Sequence, residues 1–481
     1  MKILHICPRW TGGGPERNIV ALAKLARESG QAFEESVLVL DKPVNPRLLV
    51  AARRAGLRMT IAPEPDAVAG AIAGADLVLV HFWNHPALWA LLRDFEWPPA
   101  RVILNVCVLG NGAPQVVPAE LGTFADALFL TSRLSRATGA AVAARARGKA
   151  VAVLLSIADM DRLEYFAARP HPGVVVGYLG TVNGSKMHPR FVEMASALRD
   201  DTVRFLVCGG GGGEARLAEH ADSLGLAGRF EVTGPIEDIA DAFSRMDVFG
   251  YPLAEYTYAT SEKAVQEAMW VGLPPVVMAY GGLPALVRHE RTGLLARTES
   301  EYVAALNRLV SDPALRRRLG EAARAYARRH FDPRRNAVAH WSQYRDTLRQ
   351  AKRTRTRLQA SCASRAGGFV QSLGEYAGAF ATSLRGTGAP ADLDRAHRVI
   401  AHANPLLSQG EGGVLHYRNA YPEDPHLRFW AALLLQQARR CDQAEAEFGA
   451  ALARGLPERL LAGRSLSEVV NSGPESTCRC R

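Results

Sequence analysis

The chain has 481 residues, too many for one compact core, so two or three domains are expected. Hydrophobic residues make up 48% and charged residues 22%, the ordinary balance of a soluble globular protein. The net charge of +10 comes mostly from Arg at helical spacing beside Glu or Asp, as in Arg317, Arg318 and Glu321. That pattern reads first as solvated helix surface, and second as a basic face for a membrane or a polyanionic acceptor. No basic run carries interleaved aromatics, so nucleic acid is not an expected partner. The seven cysteines lack framework spacing, which points to a reducing compartment. Pro8 cuts the first apolar run short of a signal peptide, and Asp76 interrupts the apolar region Ala67–Val80. A cytoplasmic location follows, with any membrane contact peripheral.

In chain order, apolar runs at Ile3–Cys7, Val37–Leu40, Met59–Ala62, Leu77–Val80, Val102–Val106, Leu128–Thr131 and Val151–Leu155 alternate with helical stretches. A second series follows Pro170 and Pro172, at Val174–Leu179, Arg204–Val207, Arg229–Val232, Val248–Tyr251 and Pro275–Ala279. Such alternation predicts βαβ units and two doubly wound parallel sheets facing across a cleft. Ligands of open parallel sheets bind beyond the C-terminal strand ends, so that cleft is the expected site. The predicted divisions are 1–168, 169–330, closing helices at 331–358, a poorly structured Ser/Gly/Ala-rich linker at 359–390, and a helical tail at 391–481. Within the tail, Pro422–Leu452 resembles one tetratricopeptide helix pair, and Ala391–Asn404 reads as a second helix of a preceding unit. So short a repeat is expected to lean on the rest of the chain or on a protein partner.

Ala259–Val277 carries the strongest chemical signal. Thr260 or Ser261 reads as a helix cap, and Gly272 with Pro274 as the stop. The N-terminus of such a helix can hold a diphosphate through backbone N–H groups and its dipole. Glu267, between one and two turns in, is placed to accept hydrogen bonds from ribose hydroxyls. Gly12–Gly14 forms a glycine-rich turn after the first strand, open to a phosphate. His81 stands where a strand empties into the cleft, with His85 close by. Asp159-Met-Asp161 is read as part of the interdomain connection, not as a metal site. Gly209–Gly213 lacks the acidic residue of a dinucleotide fingerprint and reads as a strand-to-helix loop.

The run from Glu267 through Gly272 and Pro274 to Val277 resembles the signature of the retaining glycosyltransferases of family four, which have the GT-B fold. Gly12-Gly-Gly-Pro-Glu-Arg, Tyr178–Pro189, Leu77–Pro86 and Arg101–Ser132 are similar to further segments of that family, in its order. The resemblance covers roughly residues 1–350. It implies that Gly13, Gly14, Lys186, Thr260, Ser261, Glu262 and Glu267 bind a nucleotide-sugar donor. It implies His81, Lys186 and Glu255 as catalytic candidates. Three positions depart from the pattern: Ala259 stands for a Glu that Glu255 or Glu262 would replace, Thr181 for an Arg, and Asn105 for a His.

The expected activity is therefore metal-independent, retaining transfer of a sugar, with no cofactor beyond the nucleotide sugar itself. The acceptor is left open among glycan, lipid-linked sugar and protein, in cell-surface glycan or glycoconjugate assembly. The alternative is a non-catalytic scaffold that works through its helical tail.

Overall fold

The computed structural model describes residues 1–358, 365–387 and 389–461. The first sheet contains β1 (Lys2–Cys7), β2 (Glu34–Val39), β3 (Arg58–Ile61), β4 (Leu77–Phe82), β5 (Val102–Val106), β6 (Ala127–Leu130) and β7 (Ala150–Val153). They pair in the order β3-β2-β1-β4-β5-β6-β7. The second contains β8 (Val175–Leu179), β9 (Arg204–Cys208), β10 (Phe230–Gly234), β11 (Val248–Tyr251), β12 (Pro275–Met278) and β13 (Leu294–Ala296), in the order β10-β9-β8-β11-β12-β13. Every strand pairing in both sheets is parallel. In each sheet the order reverses beside the first strand, at β1/β4 and β8/β11, and that switch point is where such folds bind ligands. Strand β13 was not expected from sequence. It has three residues, too few for a period-2 pattern to register.

The central strands of both sheets are buried on both faces, as helical crossovers require, while the edge strands β3, β7 and β10 are partly exposed. In β4, Val78, Val80 and Phe82 enter one core while Leu77 and Leu79 enter another on the opposite face. The core of the second domain begins at Ala158 and Met160, whereas Ile157 still belongs to the first. The change of domain thus comes earlier than the predicted 168/169 boundary. Ala158 and Met160 lie in the connection, which periodicity does not resolve. Helix α4 (Pro313–His330) packs Leu319, Ala323 and Ala327 into the second domain. The next helix, α5 (Pro333–Leu348), packs Ala337, Trp341 and Tyr344 beneath the first sheet. The chain then crosses the first domain as a strap, where Arg353 and Arg355 both pair with buried Asp126.

The linker predicted at 359–390 is corrected by the structure. Residues 367–371 form α6 (Gly367–Gln371), and 377–385 form α7 (Ala377–Arg385). Phe369, Val370, Leu373 and Phe380 are buried in the same core as β4 and β5. The small residues that suggested a linker are what permit the packing. A Cβ at Gly368 would lie 3.1 Å from Trp89 Cβ, so glycine lets α6 approach α2 (Pro86–Arg93). Residues 359–364 and 388 lie outside the described part. So does 462–481, with Cys478 and Cys480.

Helices α8 (Pro390–Ala401), α9 (Val414–Ala420), α10 (Pro425–Gln437) and α11 (Cys441–Ala453) complete the tail. Trp430 of α10 is fully buried, edge-on to Phe380 at 4.8 Å, and its indole N–H donates to Ser383 Oγ at 2.9 Å. The tail therefore shares one continuous core with the first domain. No helix among the described residues is long and apolar enough to cross a membrane.

Candidate active site

On the second domain, the loop after β11 leads into α3 (Lys263–Val271), whose N-cap is Glu262. This corrects the expectation that Thr260 or Ser261 caps the helix. Ser261 Oγ instead accepts from the Ser156 N–H at 3.1 Å and from Gln266 Nε2 at 2.9 Å. Thr131 Oγ1 donates to Thr260 Oγ1 at 3.0 Å. Both residues thus join the second domain to the first. No side chain caps α3, so its first N–H groups stay available at the cleft.

The Glu262 carboxylate turns toward Lys186. Lys186 Nζ donates to its two oxygens at 2.7 and 2.9 Å, and the Tyr251 hydroxyl donates at 2.6 Å. Burial pushes the Glu262 carboxyl up, but Lys186 and Tyr251 outweigh it and hold it below its usual value. Lys186 sits in the turn after β8, which the loop Gly209–Gly213 supports at very close range. A Cβ at Gly209 would fall 1.8 Å from the Gly180 oxygen, and one at Gly213 2.4 Å from the Val182 oxygen. The glycine run is therefore a packing requirement of the Lys186 turn.

One turn into α3, Glu267 is buried, and burial raises its carboxyl to about 7 against Arg162, Lys263 and Arg17. Burial lowers Lys263 to about 7, opposed by Glu267. On the opposing wall, Gly13 is the N-cap of α1 (Gly14–Glu28), which also has no side-chain cap. Glu16 Oε1 accepts from the Thr11 N–H at 3.3 Å, while Oε2 is buried with no partner. Burial lifts Glu16 to about 7, and Lys263 across the cleft pulls the other way. The first turns of α1 and α3 therefore lie within electrostatic reach of each other. Glu16, Arg17, Lys263 and Glu267 form a mixed-charge floor between them. Lys24 of α1 binds Asp161 at 2.5 Å and Asp159 at 3.6 Å, so that Asp pair is occupied by an ammonium.

Two catalytic candidates lie elsewhere. His81 is 1% exposed and points beneath the sheet, not into the cleft. Its Nε2 meets His5 Nδ1 at 3.0 Å and its Nδ1 meets Asn105 Nδ2 at 3.0 Å. Burial and the neighbouring His5 and His340 hold the ring well below its usual range, so it is neutral. The alternation of β4 places it on the α5 face, which the expectation from strand ends overlooked. His85 caps α2 through Nδ1, accepting from the Ala87 N–H at 3.2 Å. Glu255 is exposed, with its field on His188 and Tyr280, and does not join the Lys186 cluster. Of the two carboxylates proposed to replace the missing Glu at Ala259, Glu262 is the one beside Lys186.

Residues 162–326 match the model of the family Glycosyl transferases group 1. About three quarters of the chain is similar in fold to a glycosyltransferase from Rickettsia africae (14% identity, TM-score 0.60, covering 73% of this chain and 99% of that one). It is also similar to Anabaena HepE in complex with UDP (18% identity, TM-score 0.59, covering 72% and 100%). The fold is GT-B. Among curated relatives, a D-inositol 3-phosphate glycosyltransferase of Corynebacterium urealyticum is 30% identical over 34% of this chain and 40% of its own length. That of Nocardia farcinica is 27% identical over 52% and 62%. The chain spans about two fifths of the length of the first such relatives. The GT-B frame covers the two sheets and the closing helices, and the tail beyond them lies outside the family match.

Sequence reading missed Glu16, Arg17, Lys263 and Tyr251 as parts of the cleft. The first three stand inside quoted motifs, so their signal was adjacency to a helix N-terminus. Tyr251 ends a strand, where its hydroxyl reaches the site. The tail residues Glu411 and His416 also reach the cleft mouth, through contacts more than 400 positions apart that no local pattern carries.

Proposed function

We propose that the protein is a retaining, metal-independent glycosyltransferase that takes a sugar from a nucleotide diphosphate donor seated between the first turns of α1 and α3. One observation carries the reading. The uncapped N-terminus of α3 faces the glycine turn that opens α1 across a cleft that also holds Lys186, which is the chemistry a diphosphate leaving group requires. UDP is the ligand of the similar HepE structure, which makes a uridine nucleotide the first donor to test.

In this reading Lys186 exchanges Glu262 for the departing diphosphate and stabilises its growing charge. Glu262, still held by Tyr251, then faces the donor sugar. Glu267, half ionised near pH 7, accepts hydrogen bonds from the ribose. Positive charge and N–H dipoles meet the diphosphate without a metal. Among the described residues the carboxylate that would face the sugar, Glu262, is engaged by the Tyr251 hydroxyl, which fits a front-face path with the leaving phosphate taking the acceptor proton. Cell-surface glycan or glycoconjugate assembly remains the setting we favour, and a polyol phosphate acceptor is suggested by the curated relatives.

A thermal-shift panel of nucleotide sugars tests the reading, since a ligand that binds only the folded state raises its melting temperature. Lys186→Ala and Glu267→Ala should each weaken UDP-glucose binding in calorimetry, and proton NMR of the product should show the donor's anomeric configuration. A second reading, a scaffold without donor, is favoured by the Lys186–Glu262 pair, which already neutralises the one cation of that turn. A panel in which no nucleotide sugar shifts the melt would decide for it.

A further inference from the structure

The tail does more than pack. Between α8 and α9 the turn 410–413 reaches over the loops that follow β1, β4 and β5, on the first-domain side of the cleft. It is pinned there by buried polar groups. Gln115 Nε2 donates to the Glu411 carbonyl at 2.7 Å, and Asn84 Nδ2 to the Gly412 carbonyl at 3.0 Å. The Tyr417 hydroxyl donates to Asn84 Oδ1 at 2.6 Å. Gly412 has φ +79°, and a Cβ there would fall 2.7 Å from Gln115 Nε2 and 2.8 Å from the Asn84 carbonyl oxygen. The backbone of the turn is thus fixed, with Glu411 at its tip.

Among the described residues Glu411 meets a single cation. Arg9, in the loop after β1, donates from Nη1 to Glu411 Oε1 at 3.2 Å, while Nη2 lies 2.7 Å from His416 Nε2. Its Nε is buried and has no partner. Burial and Arg9 hold His416 down to about 4, and burial keeps His85, edge-on at 4.7 Å, well below its usual range. Both rings are therefore neutral, and among the described residues the guanidinium has one counter-ion. The Glu411 side chain is 40% exposed, whereas Arg9 is 22% exposed. Glu411 sits on Arg9 in the loop after β1, and its field reaches Glu16 of the first domain and Tyr258 of the second. Tyr258 in turn bonds Ser185, the neighbour of Lys186.

We propose that Arg9 binds an anionic group, a phosphate or a carboxylate, on the sugar acceptor, and that Glu411 occupies that place until the acceptor displaces it. The proposal rests on the transferase reading above and extends it to the acceptor. The physical case is an exchange of like for like. The more exposed partner of the pair leaves, and the incoming oxyanion gains the planar guanidinium fork, including the unsatisfied Nε–H. A neutral acceptor would leave Arg9 and Glu411 paired and gain nothing from either.

Calorimetry on the full chain saturated with UDP tests this, with myo-inositol 3-phosphate and D-glucuronate as anionic probes and neutral myo-inositol as reference. Which anion binds separates phosphate from carboxylate. Glu411→Gln should tighten the binding roughly two- to fivefold, the range of a part-exposed ion pair. Arg9→Gln should abolish it, and Arg9→Lys should retain part of it. Two results overturn the proposal: neither anion binding the Glu411→Gln protein while UDP binds normally, or neutral inositol gaining as much as the anions. Failure of every nucleotide sugar in the thermal-shift panel to bind refutes the transferase reading itself, and the acceptor proposal with it.

Discussion

The second-domain wall of the cleft comes from one stretch of chain, residues 162–326, and that stretch alone matches a family model. The first-domain wall is assembled from the loops after β1, β4 and β5 together with a turn carried in from the tail. The difference follows from what each wall must hold. A nucleotide diphosphate is met by a generic device, helix N-termini and a cation, so local motifs suffice for it. An acceptor differs from one transferase to the next, and loops on a rigid frame supply that variety.

The sharpest way to break the comparison is to ask whether the tail is part of the first domain at all. Trp430→Ala empties a fully buried site shared with Phe369 and Phe380 and should cost about 3–5 kcal/mol. Because the core is continuous, urea unfolding should show the first domain and tail melting together at a lower midpoint. A tail transition that moves alone would make the tail an appendage, and the first-domain wall an ordinary one. Next in size is Lys186→Met, which leaves buried Glu262 with only Tyr251 and should cost about 1–3 kcal/mol of stability along with donor affinity. Adding Glu262→Gln should restore the stability and leave donor binding lost. Binding restored in the double variant would remove Lys186 from the diphosphate site.

Much of this was legible in the sequence, and the pattern of what was not is physical. The two sheets were legible because parallel strands buried on both faces read as apolar runs. Gly13, Gly14, Glu262 and Glu267 were legible as motif residues beside helix starts, Lys186 only through the family resemblance, and the structure brings them to one cleft. His81 misled because the end of a strand and the face of a strand are separate facts: the run Leu77–Val80 located the end, while period-2 alternation turned the ring toward α5. Ser261 misled because Ser is a good N-cap by type, yet its hydroxyl had a better use across the domain boundary. Residues 367–385 read as linker because small residues suit both a flexible chain and close helix packing. Arg9 and Glu411 were out of reach, because their meeting depends on the tertiary fold alone.

The floor of the cleft offers a smaller test through pH. Glu16 and Glu267 have folded-state values raised from 4.5 to about 7. A raised carboxyl binds its proton more tightly in the folded state, so its contribution is present below about 4.5 and lost as pH rises to about 7. Lys263 is lowered from 10.5 to about 7, so its contribution is complete above 10.5 and lost as pH falls toward 7. The three together place a dip in stability near pH 7 for the donor-free protein. Thermal melts from pH 5 to 9 should show that dip, and Glu16→Gln with Glu267→Gln should remove its acid side. A flat wild-type profile would mean that the floor is solvated and that the two walls stand further apart than described.

The smallest effect concerns the seam between the walls. Thr131 Oγ1 donates to Thr260 Oγ1 across the domain boundary, and the Leu109 N–H donates to the Tyr258 carbonyl at 3.0 Å beside it. Thr131 Oγ1 also donates to the Val106 carbonyl at 3.1 Å; its one proton serves one acceptor at a time, and the Thr260 hydroxyl can supply the interdomain bond when that proton is on Val106. Thr131→Val keeps the shape and removes the donor. Stability should fall by no more than about 1 kcal/mol, the net worth of one neutral hydrogen bond. The informative readout is elsewhere. If closure of the two walls creates the donor site, loosening the seam should raise the Kd for UDP two- to threefold, about 0.4–0.7 kcal/mol, while leaving the urea midpoint nearly unmoved. An unchanged Kd would show that the donor is held by the second-domain wall alone, and that the first wall serves only the acceptor.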